Sequence, residues 1–183
     1  VDDEGFLCAD GYLDARSLDD VNVDAFLLNA CRSYQQGEML VEKGSRGGVV
    51  TLAEVVNSSA TKIGRALARL LSCGFSLRTA LGLAKEGVLV SVEYVTVGDG
   101  RLTLCQSESG VPTMFEIRRE EDRYLLEHHT FTTANYGMGS MMSSILEDSS
   151  TRYLVSSSRP TFEMSAEEID DALDLELHPV KMD

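Results

Sequence analysis

Four cysteines and three histidines are the residues of this sequence best suited to nucleophilic or metal chemistry, and their spacing sets most of them aside. Cys8, Cys31, Cys73 and Cys105 form no C-x-x-C pair, and His128, His129 and His178 stand at no zinc-finger distance from them. A disulfide framework is not expected at this length and spacing. Cys8, Cys73 and Cys105 read as small buried hydrophobes, the usual condition of a free thiol. His128 and His129 are neighbours on an expected strand, so they point to opposite faces and do not share a metal; one is expected buried or hydrogen-bonded, the other exposed. His178, before Pro179, reads as a solvated tail residue. Neither a metal nor a cofactor is expected.

Cys31 is different. The apolar run Ala25-Phe26-Leu27-Leu28 ends at Asn29-Ala30-Cys31, and a polar segment of helical character follows. This reads as a thiol at the carboxyl end of a buried strand and at the start of a helix. In open α/β sheets ligands gather beyond the carboxyl ends of the strands. A helix N-terminus and a cationic neighbour such as Arg32 both favour a thiolate. Packing is the other common use of a cysteine in such a place. Phosphate-loop, dinucleotide, zincin and G-x-S-x-G motifs are absent. Gly44-Ser45-Arg46-Gly47-Gly48 leads into a strand and not a helix, so it reads as a turn. Tyr136, Met138, Met141 and Met142, in a Gly/Ser-rich stretch, fit either a binding flap or a connector.

The elements that would position Cys31 follow from periodicity and punctuation. Residues 5–13, with Asp10-Gly11 among alternating apolar residues, predict a hairpin, and residues 14–18 a short helical turn. A helix is expected over 33–43, stopped by Gly44, and a strand from Gly47, whose β-branched run suits burial on both faces. Strand, helix and strand in that order predict a right-handed parallel βαβ unit. A helix capped at Asn57 or Ser58 runs to Cys73, with Ala60, Ile63, Leu67, Leu70 and Leu71 as its apolar stripe. Another opens at Ser76, and a strand spans 89–97 before the turn Gly98-Asp99-Gly100. Beyond Gly100 the pattern becomes β-rich, with strands over 101–106, 113–119, 124–133, 152–156 and 161–164, and a loop over 135–144. Ser165 and Glu168 form a capping box for a last acidic helix.

Composition bounds the function class. Apolar residues make up 43% and charged residues 25%, as in a globular chain, and no run is long enough to span a bilayer. A formal charge of −14 argues against nucleic acid or an anionic membrane as partner, since both need a basic face. Four lysines against twelve arginines, with 30 acidic residues, suggest adaptation to a high-salt cytoplasm. With no signal peptide the chain is read as cytoplasmic; because it begins at Val1 without Met, it is also read as processed, trimmed or cut from a longer protein.

Phe26-Leu-Leu-Asn-Ala-Cys31-Arg-Ser33, then a helix, Gly47-Gly-Val-Val-Thr51, Ala66-Leu-Ala-Arg-Leu70, Gly74-Phe-Ser-Leu77, Ala80-Leu81 and Val97-Gly-Asp99, taken in order, resemble CHAT domains, caspase-like cysteine peptidases. The composition fits a haloarchaeal member. The resemblance covers residues 1–100 and implies the C-terminal part of a caspase-like three-layer α/β sandwich with a mostly parallel sheet; residues 101–183 form a β-rich extension outside it. It also implies that Cys31 is the nucleophile on a peptide carbonyl and that its backbone N–H is half of an oxyanion hole. The general base would be a histidine upstream of Val1. Asn29 takes the position at which relatives that cleave after basic residues carry an acid, and Glu54 could face the same pocket. The expected partner is a protein or peptide substrate or, for an inert CHAT-like module, a regulatory protein.

Overall fold

The computed structural model describes residues 5–55, 57–86, 93–107, 110–121, 123–143, 151–173 and 180–182. The chain divides into two units, Val1–Leu71 with Ser76–Leu104, and Ser72–Phe75 with Cys105–Asp183.

In the first unit β1 (Phe6–Cys8) and β2 (Gly11–Leu13) form the expected hairpin, with Cys8 opposite Gly11 and Ala9-Asp10 as the turn. Asp14 caps the 3-10 turn Ala15–Ser17 by accepting the Arg16 backbone N–H, and that bond holds its carboxyl below the ordinary range. The Ala15 N–H donates to Gln36 Oε1 at 2.9 Å, tying this turn to α1 (Tyr34–Glu42). β3 (Ala25–Leu27) pairs in parallel with β4 (Gly47–Thr51), as a strand–helix–strand unit should. β4 is buried along its whole length. Its glycines suit that burial: a Cβ on Gly48 would lie 2.6 Å from the Phe26 carbonyl oxygen and run into the Phe26 ring. Val49 and Val50 point to opposite faces. A Cβ on Gly37 of α1 would run into Val50, whereas Val49 shares an apolar cleft with Leu67 of α2 (Asn57–Ser72) and Leu77 of α3 (Leu77–Glu86). Helices therefore flank both faces of the sheet.

The mostly parallel caspase-like sandwich expected from the sequence is not what the chain forms. The sheet of this unit has three strands in the order β3-β4-β5, and β5 (Tyr94–Gly98) runs antiparallel to β4, with Thr51 opposite Tyr94. Two successive helices separate β4 from β5. A single crossover helix would restore the strand direction; a pair brings the chain back to the end of the sheet where β4 finished. The expected strand over 89–97 begins outside the described residues and is in place from Tyr94. No ladder forms over 101–106: Leu102 N–H instead closes a turn on the Asp99 carbonyl, and the Leu102 carbonyl accepts the Leu77 N–H.

In the second unit β6 (Thr113–Glu120) and β7 (Arg123–Thr130) form a long hairpin. β8 (Met141–Ser143) pairs with β9 (Arg152–Leu154), so the expected loop over 135–144 ends in a strand. β10 (Thr161–Met164) flanks β7 antiparallel, and β11 (Val180–Met182) flanks β6 in parallel. Phe115, Ile117 and Leu126 form its core with Ile169 of α4 (Ala166–Leu173). The capping box of α4 is present: the Ser165 N–H donates to Glu168 Oε2 at 2.8 Å and the Glu168 N–H to Ser165 Oγ at 3.3 Å. The sheets of both units are thus mainly antiparallel.

Candidate functional site

β3 ends at Leu27 and α1 begins at Tyr34, so Cys31 stands in a turn between them, four residues past the strand and three before the helix. The turn is braced from three directions. From β4, Thr51 Oγ1 donates to the Ala30 carbonyl and accepts the Ser33 N–H, while Ser33 Oγ accepts the Thr51 N–H at 3.0 Å and donates to the Leu28 carbonyl at 3.0 Å. Ser33 and Thr51 are both fully buried. Where β3 stops, these two hydroxyls satisfy the backbone groups that a longer strand would have paired. Ser33 is the N-cap residue of α1, yet its side chain makes no cap bond, because it is committed to the turn.

From β5, the Tyr94 hydroxyl donates to Asn29 Oδ1 at 2.5 Å; from α2, the Ala60 carbonyl accepts Asn29 Nδ2–H at 2.9 Å. Burial pushes the Tyr94 phenol above its ordinary 10.0, and the charge of a Cys31 thiolate pushes the same way. The phenol is therefore an O–H donor at any physiological pH. Both ends of the Asn29 amide are occupied by the protein, which makes Asn29 a brace of the turn.

The third direction is the segment after β4. Cys31 is half-buried, and its Sγ accepts the Val55 N–H at 3.4 Å and faces the Val55 carbonyl at 3.9 Å. The thiol thus accepts from the Val55 N–H and donates to the Val55 carbonyl, so one residue holds it from both sides. Next to it Arg32 has φ 53, the left-handed region that a non-glycine residue enters at a cost. Its N–H is held by the Ala53 carbonyl at 3.2 Å. Arg32 Nη2 reaches Glu54 Oε1 at 3.5 Å, but both side chains are more than two-thirds exposed, so the pair contributes little. Glu54 thus lies beside the Cys31 turn with its carboxylate in solvent.

The sequence reading singled out Cys31, Asn29 and Glu54, and the fold brings all three to one turn. Ser33 was read only as a polar neighbour of Cys31, and Thr51, Tyr94 and Val55 were missed as its partners, because they act across 18 to 65 positions of sequence and carry no local motif. No histidine belongs to this unit. Of the other cysteines, Cys8 and Cys105 are exposed and Cys73 half-buried, contrary to the expectation of buried hydrophobes. Cys8 lies in a hairpin with most of its surface in solvent, and Cys105 donates to the Ser72 carbonyl at 3.0 Å.

In the second unit His128 and His129 alternate across β7 as expected. His128 is fully buried against the Phe115 ring. His129 is also largely covered, not exposed: its Nε2 lies 3.3 Å from Glu116 and 3.1 Å from Glu127, which face each other across β6 and β7. Among the described residues no three His, Cys, Asp or Glu side chains are grouped to hold a metal ion. His178 lies outside the described residues. No helix of the described residues is long and apolar enough to cross a membrane. No family model, no curated protein and no solved structure matches the chain.

Proposed function

We propose that the Cys31 turn is a thiol acyl-transfer site of the CHAT peptidase kind, acting on a protein or peptide. The observation that carries this reading is the Val55 N–H on Cys31 Sγ, in a turn that Thr51, Ser33, Tyr94 and Ala60 hold in place. In the reaction, the Cys31 thiolate adds to the scissile carbonyl carbon. The C–N bond then breaks, the amine leaves with a proton from an acid, and water hydrolyses the thioester to return the thiol. The acid and base is an imidazole that the first unit does not contain; following the resemblance, it comes from a segment upstream of Val1. The cytoplasm is the setting this reading implies, since a thiol nucleophile works where thiols stay reduced.

A second reading, an inert module that binds a regulatory partner, is favoured by one observation: the thiol is half-buried and also faces the Val55 carbonyl. Alkylation by iodoacetamide at neutral pH in molar salt, read peptide by peptide by mass spectrometry, separates the two. The nucleophile reading expects Cys31 to be modified faster than the exposed Cys8 and Cys105. A Cys31 slower than both overturns it and leaves the module.

A further inference from the structure

We propose that Tyr94 is a positioning residue for the Cys31 thiol, acting through Asn29. The inference rests on the reading of Cys31 as the nucleophile and adds to it the group that sets the thiol's reactivity. Tyr94 is the first residue of β5, opposite Thr51 at the end of β4, so the strand pairing itself delivers its ring beneath the Cys31 turn. The ring is wholly buried, and its hydroxyl makes a 2.5 Å bond to Asn29 Oδ1. Asn29 lies two residues before Cys31, and its other amide atom is anchored on the Ala60 carbonyl. The polypeptide at Asn29 is therefore clamped between a strand and a helix. Two residues on, the same clamp fixes where Sγ sits relative to the Val55 N–H, which it meets at 3.4 Å, an ordinary N–H···S distance. A rotation of the turn would misalign that N–H, and hydrogen bonds weaken steeply with misalignment. The burial that keeps the phenol protonated ensures that it donates to Asn29 and does not repel the thiolate.

Neither packing nor stability alone requires the hydroxyl to reach this particular amide. Phenylalanine would fill the same space, and the Asn29 carbonyl oxygen could turn to water, since Asn29 is exposed at its outer edge. The hydroxyl's distinct contribution is to hold the turn that carries the thiol.

The test is the pH–rate profile of Cys31 alkylation by iodoacetamide in the full chain carrying Cys8→Ser, Cys73→Ser and Cys105→Ser, with and without Tyr94→Phe or Asn29→Ala. Each of the two substitutions is expected to displace the profile from the parent's and to slow alkylation at pH 7 by about tenfold, because misplacing a reacting group costs rate. Because the two residues act in series, the double variant should be no slower than either single one. A Tyr94→Phe profile that overlays the parent's while only the melting temperature falls assigns Tyr94 a structural role and overturns the proposal. So does a double variant whose slowing is the product of the two. If Tyr94→Phe does not fold, Asn29→Ala alone decides, and an unshifted profile there is equally fatal. Failure of the nucleophile reading is visible separately, as a Cys31 slower than both Cys8 and Cys105 in the chain with all four cysteines.

Discussion

Replacing Thr51 with valine keeps the shape of a fully buried side chain and removes the oxygen that ties β4 to the Cys31 turn. Two backbone contacts go, the bond to the Ala30 carbonyl and the acceptor for the Ser33 N–H, together with the 3.2 Å contact to Ser33 Oγ. Each leaves a covered backbone group without its partner, and such groups cost about 1–3 kcal/mol apiece. The Ser33 N–H bond is long at 3.4 Å and stands at the low end, so the expected loss is about 2–4 kcal/mol. In a chain of this size that corresponds to a fall in melting temperature of about 4–16 °C. Ser33→Ala removes the matching pair, the acceptor of the Thr51 N–H and the donor to the Leu28 carbonyl. Once either hydroxyl is gone the turn opens to water, which then satisfies groups the second substitution would have stranded. The double variant should therefore cost less than the sum of the singles, with a coupling of about 0.5–3 kcal/mol. Urea denaturation followed by far-UV circular dichroism measures all three variants. A Thr51→Val chain within about 0.5 kcal/mol of the parent, or strict additivity, would refute the claim that these hydroxyls brace the turn.

Two further outcomes follow from local geometry. Gly48→Ala places a methyl 2.6 Å from the Phe26 carbonyl oxygen, and the strands cannot part without losing the β3–β4 ladder, so a loss of about 1–3 kcal/mol is expected in the same urea assay; an unchanged midpoint would contradict the register. The Glu168 carboxyl is held below its ordinary 4.5 by the Ser165 backbone N–H first and the Ser165 hydroxyl second. A carboxyl depressed on folding contributes stability that is present above its unfolded value and lost as pH falls through its lower folded value. Protection of the α4 amides from hydrogen exchange should therefore decline below about pH 4.5 in the parent and stay flat across that range in Glu168→Gln; parallel curves would remove the capping carboxylate from the account.

What could be read from the sequence was what is decided within a few residues. The Ser165–Glu168 box forms as expected because both of its bonds span three positions, and the Asp10-Gly11 hairpin and the stop at Gly44, with φ 119, are equally local. The parallel β3–β4 pair was accessible for a related reason, since one helix between two strands leaves few alternatives. The direction of β5 was not, because it depends on how two consecutive helices return the chain, and the apolar stripes of α2 and α3 are the same for either return. Residues 101–106 alternate like a strand but spend their backbone groups on turns and on α3. At the site, Cys31 was expected at the end of a buried strand and the start of a helix, but β3 is only partly buried and the thiol stands four residues past it and three before α1. A strand of only three residues ends at Leu27, and the polar tail that follows is organised by partners at Thr51, Val55, Ala60 and Tyr94, each placed by tertiary pairing alone.

That division bears on how the site would work. The partners that brace the Cys31 turn all lie in the first unit, so its geometry does not depend on a general base supplied from elsewhere. A base supplied by another segment would meet a thiol already in place and would have only its own position to fix, which is how preorganisation lowers the cost of assembling a catalytic pair. The one contact that would have to yield is the weak one, the Cys31 S–H on the Val55 carbonyl at 3.9 Å, while the Val55 N–H on Sγ can remain. The bonds from Thr51, Ser33, Tyr94 and Ala60 and the Val55 N–H on Sγ all survive the loss of that contact, so the proposed nucleophile would keep its place while its S–H is freed.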